Sequence, residues 1–131
     1  MKKLVSFLAM IVLSACQESL ENRCAREAES FTKKNWPAKL SETVTVDSMV
    51  FHQATLTIQY YYRLTGMADD STLVDTETWR NQLLSDLKNA TSMKPYLDAN
   101  YNVQYIYHSE SHPNQVLFDA LFTPDDYNKV P

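Results

Sequence analysis

The spacing of apolar residues along the chain predicts two helices and two pairs of strands. Apolar side chains recur every three or four residues from Leu20 to Phe31, with charged residues between them, which is typical of an amphipathic helix that ends before Pro37. A second helix is predicted to begin after an N-cap at Asp75 and to end near Ala90. Alternation of apolar and polar residues predicts strands over 43–51, 54–64, 101–107 and 116–122.

The apolar rows of these strands and the apolar stripes of the helices are predicted to form the core. Its expected members include Val44, Val50, Leu64, Trp79, Leu83, Tyr107 and Val116. A short helical turn through 95–99 is predicted to end at Asn100, a residue suited to a left-handed stop.

This order of elements predicts an α+β domain with two layers. Hairpins joined by helices pack most simply as one antiparallel four-stranded sheet with both helices on one face, in the order αββαββ. The opposite face of the sheet is then open and more apolar than a solvated surface requires. Its predicted partner-binding residues are Tyr61, Ile106, Leu117 and Leu121. A contiguous apolar patch is typical of an interaction surface, but scattered surface aromatics or loops folded over the sheet would also explain these residues.

The first sixteen residues form a segment of their own. Lys2 and Lys3 precede an apolar run that is too short to span a bilayer, and the run closes with Leu13-Ser14-Ala15-Cys16. This arrangement resembles a bacterial lipoprotein signal. The resemblance implies that residues 1–15 are removed and that Cys16 is acylated. The polar residues that follow predict a short tether over 16–22, and the remaining length predicts a single domain over 23–131. Several acyl chains hold a protein at a membrane stably, whereas one chain does not.

Gln17 bears on the membrane that receives the lipid. In bacteria with two membranes, an Asp directly after the acylated Cys holds lipoproteins in the inner membrane, so the resemblance implies an outer-membrane location for a chain with Gln17. The periplasmic face is expected, because Glu18 and Glu21 are only a weak version of the acidic tracts that mark surface export in some lineages.

Composition and charge exclude several classes of function. Without residues 1–15 the chain has 116 residues, which is enough for one domain, and ten basic against sixteen acidic residues give a formal net charge of −6. This charge argues against nucleic acid as a partner. The one glycine, Gly66, argues against the Gly-rich turns that bind nucleotides, and no cofactor is expected.

Candidate catalytic and metal-binding residues are few. Once Cys16 is acylated, Cys24 is the remaining thiol, and burial is the favoured interpretation over an intermolecular bridge or a reactive thiol. His108, Glu110 and His112 could supply metal ligands within five residues. An ordinary hairpin turn through 109–114 is the better account, so neither a metal site nor a catalytic residue is predicted.

Several short motifs resemble a widespread set of small secreted or lipid-anchored bacterial proteins. The matching segments are Asn35-Trp36-Pro37, Glu42-Thr43, Val46-Asp47-Ser48-Met49-Val50, Leu56-Thr57, Tyr60-Tyr61-Tyr62, Met93-Lys94-Pro95-Tyr96-Leu97-Asp98, Val103 and Tyr105-Ile106-Tyr107. Two features depart from that set. Trp36 stands where the set usually has Cys, so its disulfides are absent, and the turn before the last strand lacks the usual Asp-x-x-Gly loop. The resemblance implies fold and compartment rather than an activity.

These observations together predict a lipid-anchored envelope protein that acts as a protein-binding module and not as an enzyme. An assembly accessory and an inhibitor or immunity lipoprotein both fit. Two alternatives remain open at this point. One is a small envelope enzyme that uses Cys24 or the loop with His108 and His112, and the other is a structural lipoprotein that self-associates through a Cys24 bridge.

Overall fold

The computed structural model describes residues 19–35 and 37–129 of the 131-residue chain. The predicted signal peptide, Cys16 and Gln17 lie outside the described residues. Four α-helices and five strands are present in the described ranges: α1 (Leu20–Asn35), β1 (Ala38–Lys39), β2 (Val44–His52), β3 (Thr57–Leu64), α2 (Thr76–Asn89), α3 (Lys94–Asp98), β4 (Asn102–Ser109), β5 (Val116–Phe122) and α4 (Pro124–Tyr127). Helix α1 includes the last residues of the predicted tether. None of these helices has the length and apolar character needed to span a bilayer.

The sheet is mixed and five-stranded, which corrects the predicted antiparallel four-stranded sheet. Its strands follow the order β1-β2-β3-β4-β5, and β3 pairs with β4 in parallel while the other neighbours are antiparallel. The parallel pair exists because the connection between β3 and β4 carries α2 across the sheet and returns the chain to the starting end. Strand β1 was not predicted, because two residues are too few to show a period.

The α+β class and the two-layer arrangement are confirmed. Helix α1 packs mainly on β2 and helix α2 packs beside β5, so both helices cover the same face of the sheet. The core lies between these layers and includes buried residues from α1, α2, α3 and all four long strands. Its most deeply buried members are Cys24, Ile58, Leu87, Tyr96, Val103, Ala120 and Phe122.

Two β-bulges move side chains to the face opposite the predicted one. Val46 pairs with Tyr62 but Ser48 pairs with Tyr61, so Asp47 is an extra residue in β2. A single inserted residue exchanges the two faces of a strand beyond it. Met49 is therefore buried, whereas Val50, predicted to face the core, is exposed.

The second bulge lies between β4 and β5. The register shifts between Tyr107 and His108, and Val116 at the start of β5 is 55% exposed although the alternation predicts it in the core.

Two local features predicted from the sequence are present in the structure, and one predicted strand boundary differs. The Asp75 carboxylate accepts the Thr78 N–H at 3.1 Å, which confirms the predicted N-cap of α2. Asn100 has a φ of 65°, as expected for the left-handed residue after a helical turn. Strand β3 begins at Thr57 rather than at residue 54, because Leu56 takes a φ of 51° while its side chain packs against the core.

Candidate functional site

An apolar groove opens between α2 and the ends of β2 and β3. It has a volume of about 380 Å³. The groove is lined by Val44, Leu64, Thr78, Trp79, Gln82, Leu83, Asp86 and Tyr107, and we call these eight residues the aromatic groove. Such a concave apolar surface with a few polar groups is the usual form of a binding site.

The parallel pairing of β3 and β4 builds the aromatic floor of this region. The register places Tyr62 beside Tyr107 and Tyr60 beside Tyr105, so tyrosine side chains lie next to each other on the two strands. The ring centroids of Tyr62 and Tyr107 are 4.6 Å apart with nearly parallel planes. On the side of α2, the Trp79 ring packs edge-on against Tyr107 at 6.0 Å. These contacts hold the rings rigidly, which reduces the entropy lost when a ligand binds.

The groove floor is electrically neutral and its rim is acidic. Burial, with a contribution from nearby Asp86, raises the pKa of the Tyr107 hydroxyl to about 12. Burial and its tyrosine neighbours also raise the pKa of Tyr62, so neither hydroxyl ionises at neutral pH. Asp86 is the one charged residue among the eight that line the groove. The surface therefore favours apolar side chains with a neutral or basic border.

Sequence patterns assigned the apolar and aromatic groove residues to the core and missed the opening. These residues are Val44, Leu64, Trp79, Leu83 and Tyr107. A period reports which face of a strand or helix turns inward, but it does not report how much of the sheet two helices leave uncovered. One signal was present. The central strands place tyrosines where leucine or valine would fill a sealed core, and a tyrosine hydroxyl prefers to reach water or a partner.

Of the four predicted partner-binding residues, Leu117 is the extra residue of the β5 bulge, whereas Tyr61, Ile106 and Leu121 lie together on the face of the sheet that carries no helix. We call this face the outer sheet face. Tyr61 and Ile106 are neighbours in the register of β3 and β4, and Leu121 of β5 lies opposite Gln104 of β4. Tyr61, Ile106 and Leu117 are half-buried, and Leu121 is 43% exposed.

A chain of polar side chains crosses the outer sheet face between these residues. Gln59 donates to Gln104 at 2.7 Å, and Gln104 donates to Asp119 at 2.8 Å. The Tyr61 hydroxyl donates to Gln59 at 2.9 Å. Because this chain interrupts the apolar residues, the outer sheet face is a mixed surface. The binding role of the four predicted residues stays a prediction.

The histidines of the candidate metal loop have separate partners. His108 Nε2 lies 3.0 Å from Asp47 Oδ2 at the β2 bulge, while His112 Nδ1 lies 3.1 Å from the hydroxyl of Ser111. Glu110 is exposed. In the described ranges no group of three or more His, Cys, Asp or Glu residues is arranged to hold a metal ion.

Cys24 is a buried structural residue. Its side chain is fully buried and unbridged in the apolar stripe of α1, which confirms the favoured interpretation. Burial raises the pKa of its thiol to about 12, with a further contribution from Glu27. A reactive cysteine needs a thiol that is both accessible and ionised, and the thiol of Cys24 is neither.

The fold is similar to those of three solved bacterial proteins. A Pseudomonas aeruginosa protein inferred to be secreted aligns with 12% identity and a TM-score of 0.65, over 85% of this chain and 99% of its own. The type 2 secretion system pilotin EpsS of Vibrio vulnificus aligns with 12% identity and a TM-score of 0.64, over 82% of this chain and 91% of its own. The type II secretion system pilotin AspS of Vibrio cholerae aligns with 15% identity and a TM-score of 0.59, with the same coverage.

At these identities the likeness concerns the fold. No curated protein sequence matches the chain. Residues 19–118 match the model of a protein family described as Domain of unknown function (DUF8479), and because this match covers more than half of the sequence, the chain belongs to the DUF8479 family.

Proposed function

We propose that this protein is a lipid-anchored accessory of the bacterial envelope that binds a segment of another envelope protein in the aromatic groove. The observation that carries the proposal is the groove itself, an apolar and aromatic surface left open between α2 and the sheet. Two of the proteins with a similar fold are pilotins of type 2 secretion systems, which supports an accessory role in envelope assembly. No nucleic acid, nucleotide or cofactor takes part.

The dimensions and chemistry of the groove suit an amphipathic helix of the partner. A helix presents apolar side chains every three or four residues along one stripe, and such a stripe fits a groove between a helix and a sheet. Trp79 and Tyr107 supply the large aromatic surfaces that dominate binding energy at protein interfaces. Asp86 on the rim favours a partner with a basic residue beside its apolar stripe.

The proposed anchor places the groove away from the membrane. Cys16 is four residues before Leu20, so even a fully extended chain would separate the acylated residue from the first residue of α1 by at most about 14 Å. The side chain of Glu21 accepts a hydrogen bond from Gln53 at 2.9 Å, which places the start of α1 beside the β2–β3 turn. Val44 and Leu64 lie at the opposite ends of β2 and β3, about 25 Å away along the strands.

A partner in the periplasm therefore reaches the groove while the lipid stays in the membrane. We assign that membrane to the outer one, with the protein on its periplasmic face. The assignment rests on Gln17, which lies outside the described residues.

The non-enzymatic character of this role is part of the proposal. The enzyme alternative depended on Cys24 as a nucleophile or on a metal held by His108 and His112. The buried thiol of Cys24 and the separate partners of the two histidines support neither chemistry. The same burial disfavours a Cys24 bridge between two copies, since a disulfide requires the two sulfur atoms to meet.

The test is crosslinking in cells with the full lipidated chain, followed by mass spectrometry of attached proteins. Gln82 is exposed on the rim of the groove, so Gln82→Trp fills the groove without removing a buried side chain. Asn81→Trp adds the same ring to the adjacent exposed position, which does not line the groove. We expect one dominant envelope protein to be lost with Gln82→Trp and kept with Asn81→Trp. Equal capture by both variants would exclude the groove.

The outer sheet face is the second candidate surface, and the same assay tests it. Ile106 is half-buried at the centre of this face, beside Tyr61. Loss of the partner with Ile106→Asp, together with normal capture by Gln82→Trp and an unchanged melting temperature, would transfer the binding role to the outer sheet face.

A further inference from the structure

Strand β5 forms an edge of the sheet, and few of its backbone groups that point away from β4 have hydrogen-bond partners. The order of strands leaves one side of β5 without a neighbouring strand. Arg80 of α2 donates from Nη2 to the Leu121 carbonyl at 3.1 Å, which shows that the backbone of Leu121 points towards this free edge. Backbone groups of alternate residues point the same way, so the N–H and C=O of Asp119 face the edge as well.

The guanidinium of Arg80 is fixed at one end of the edge. It lies over the Phe122 ring at 4.6 Å and 3.5 Å from the Asp126 carboxylate. A cation of the chain itself thus caps one edge carbonyl, a common way to protect an edge strand. The protection is local, because no hydrogen bond of this kind reaches Asp119 within the described ranges.

A groove runs beside the unprotected part of the edge. It has a volume of about 540 Å³ and is bounded on one side by β5 and on the other by the first turns of α2. Its lining residues are Thr76, Glu77, Arg80, Val116, Leu117, Phe118 and Asp119. A groove between an edge strand and a helix is the geometry in which extended peptides add a strand to a sheet.

The side chains along this edge specify the chemistry of the segment. On the outer sheet face Asp119 lies opposite Ile106 and Leu121 lies opposite Gln104, and Glu77 borders the groove from α2. Leu117 lines the groove, but the bulge takes it out of the alternation with Asp119 and Leu121. Arg80 is already paired with Asp126, so the charge offered to a ligand is negative. Side chains directly opposite each other on paired strands interact most strongly.

We propose that the β5 edge binds an extended segment of a partner protein, in which a lysine or arginine faces Asp119 and an apolar residue two positions away faces Leu121. The segment pairs with the backbone of β5 and extends the five-stranded sheet by one strand. This site is separate from the aromatic groove, so it stands whether or not the groove binds a helix.

The test uses a synthetic peptide and the full chain in detergent micelles. The probe is acetyl-Thr-Ile-Thr-Lys-Thr-Ile-Thr-amide, and the readouts are the amide chemical shifts and hydrogen-exchange rates of the protein. We expect the Asp119 and Leu121 amides to shift and to exchange more slowly, while the amides of Leu83 and Asp86 in the aromatic groove are unaffected. A peptide with Glu in place of Lys should bind about five-fold more weakly, because a favourable cross-strand charge pair becomes repulsive. A scrambled peptide controls for binding to micelles.

Two further comparisons isolate charge and backbone pairing. Asp119→Lys should reverse the preference, so that the Glu peptide binds more tightly than the Lys peptide. Asp119 is exposed, so this variant leaves the core intact. Two peptides methylated on opposite sets of alternate backbone nitrogens should differ, with binding lost in one and retained in the other. Equal affinity of the Lys and Glu peptides, shifts confined to Leu83, Asp86 and their neighbours, or loss of binding with both methylated peptides would each overturn the proposal.

Discussion

Tyr96→Phe should destabilise the protein at neutral pH by removing a single hydroxyl. Tyr96 belongs to α3 and is buried against α1, where its hydroxyl donates to the Glu27 carboxylate at 2.5 Å. The other oxygen of Glu27 accepts from Arg23 at 2.9 Å. Hydrogen bonds to charged groups contribute about 1.5–3 kcal/mol. Because the Glu27 side chain is 38% exposed, water competes for the carboxylate, and we expect a loss of about 1.5 kcal/mol.

The cost of Tyr96→Phe should also depend on pH. Burial tends to raise the pKa of Glu27, but hydrogen bonds from Tyr96 and Arg23 outweigh burial and hold that pKa below its usual value. A carboxyl group with a lowered folded-state pKa stabilises the protein above its unfolded-state pKa, and this contribution is lost as pH falls through the folded-state value. The variant lacks part of this contribution, so its deficit should shrink in acid.

Urea unfolding of both proteins, at neutral pH and well below the ordinary Glu pKa of about 4.3, measures the difference directly. Tyr62→Phe is the matched control, because its hydroxyl has no hydrogen-bond partner among the described residues, and it should cost less than about 0.5 kcal/mol. A Tyr96→Phe deficit that is equally small, or that is identical at both pH values, would refute the role assigned to the Glu27 pair.

Two further predictions concern the core and the thiols. Leu87→Ala should lower the free energy of unfolding by about 3 kcal/mol, because Leu87 is 1% exposed in the core, whereas Met67→Ala, at a position that is 86% exposed, should change it by less than about 0.5 kcal/mol in the same urea titration. A thiol reagent should leave Cys24 unmodified in the native full chain and label it after unfolding, since the side chain is fully buried and burial raises its pKa to about 12. A thiol that reacts rapidly in the native chain would indicate that Cys16 is not acylated or that Cys24 is accessible.

The helices and long strands could be predicted because each follows a local period. Helix α1 shows its three-to-four spacing, and β3 and β4 alternate without interruption from Ile58 to Leu64 and from Val103 to Tyr107. The N-cap at Asp75 and the left-handed conformation of Asn100 could also be predicted, since each depends on the chemistry of one side chain.

The candidate site was predictable only as a set of residues that share a face. Alternation placed Tyr61, Ile106, Leu117 and Leu121 on one face, and the structure has Tyr61, Ile106 and Leu121 on the outer sheet face, while Leu117 is the extra residue of the β5 bulge. It did not show that Gln59, Gln104 and Asp119 would join into a polar chain across that face, because this chain depends on which strands are neighbours. The aromatic groove could not be predicted from the sequence for the same reason, since its walls come from segments far apart in the chain.

The sequence by itself determined the class of the protein, an α+β domain with a segment at its start that resembles a lipoprotein signal, because these features depend on local periods and composition. Only the tertiary structure decided the parallel pairing of β3 with β4 and the free edge at β5, because the direction and neighbours of a strand depend on where the chain returns after α2. It also decided which side Val50 and Val116 occupy, since one bulged residue reverses the faces of a strand at little local cost and is stabilised by contacts made elsewhere.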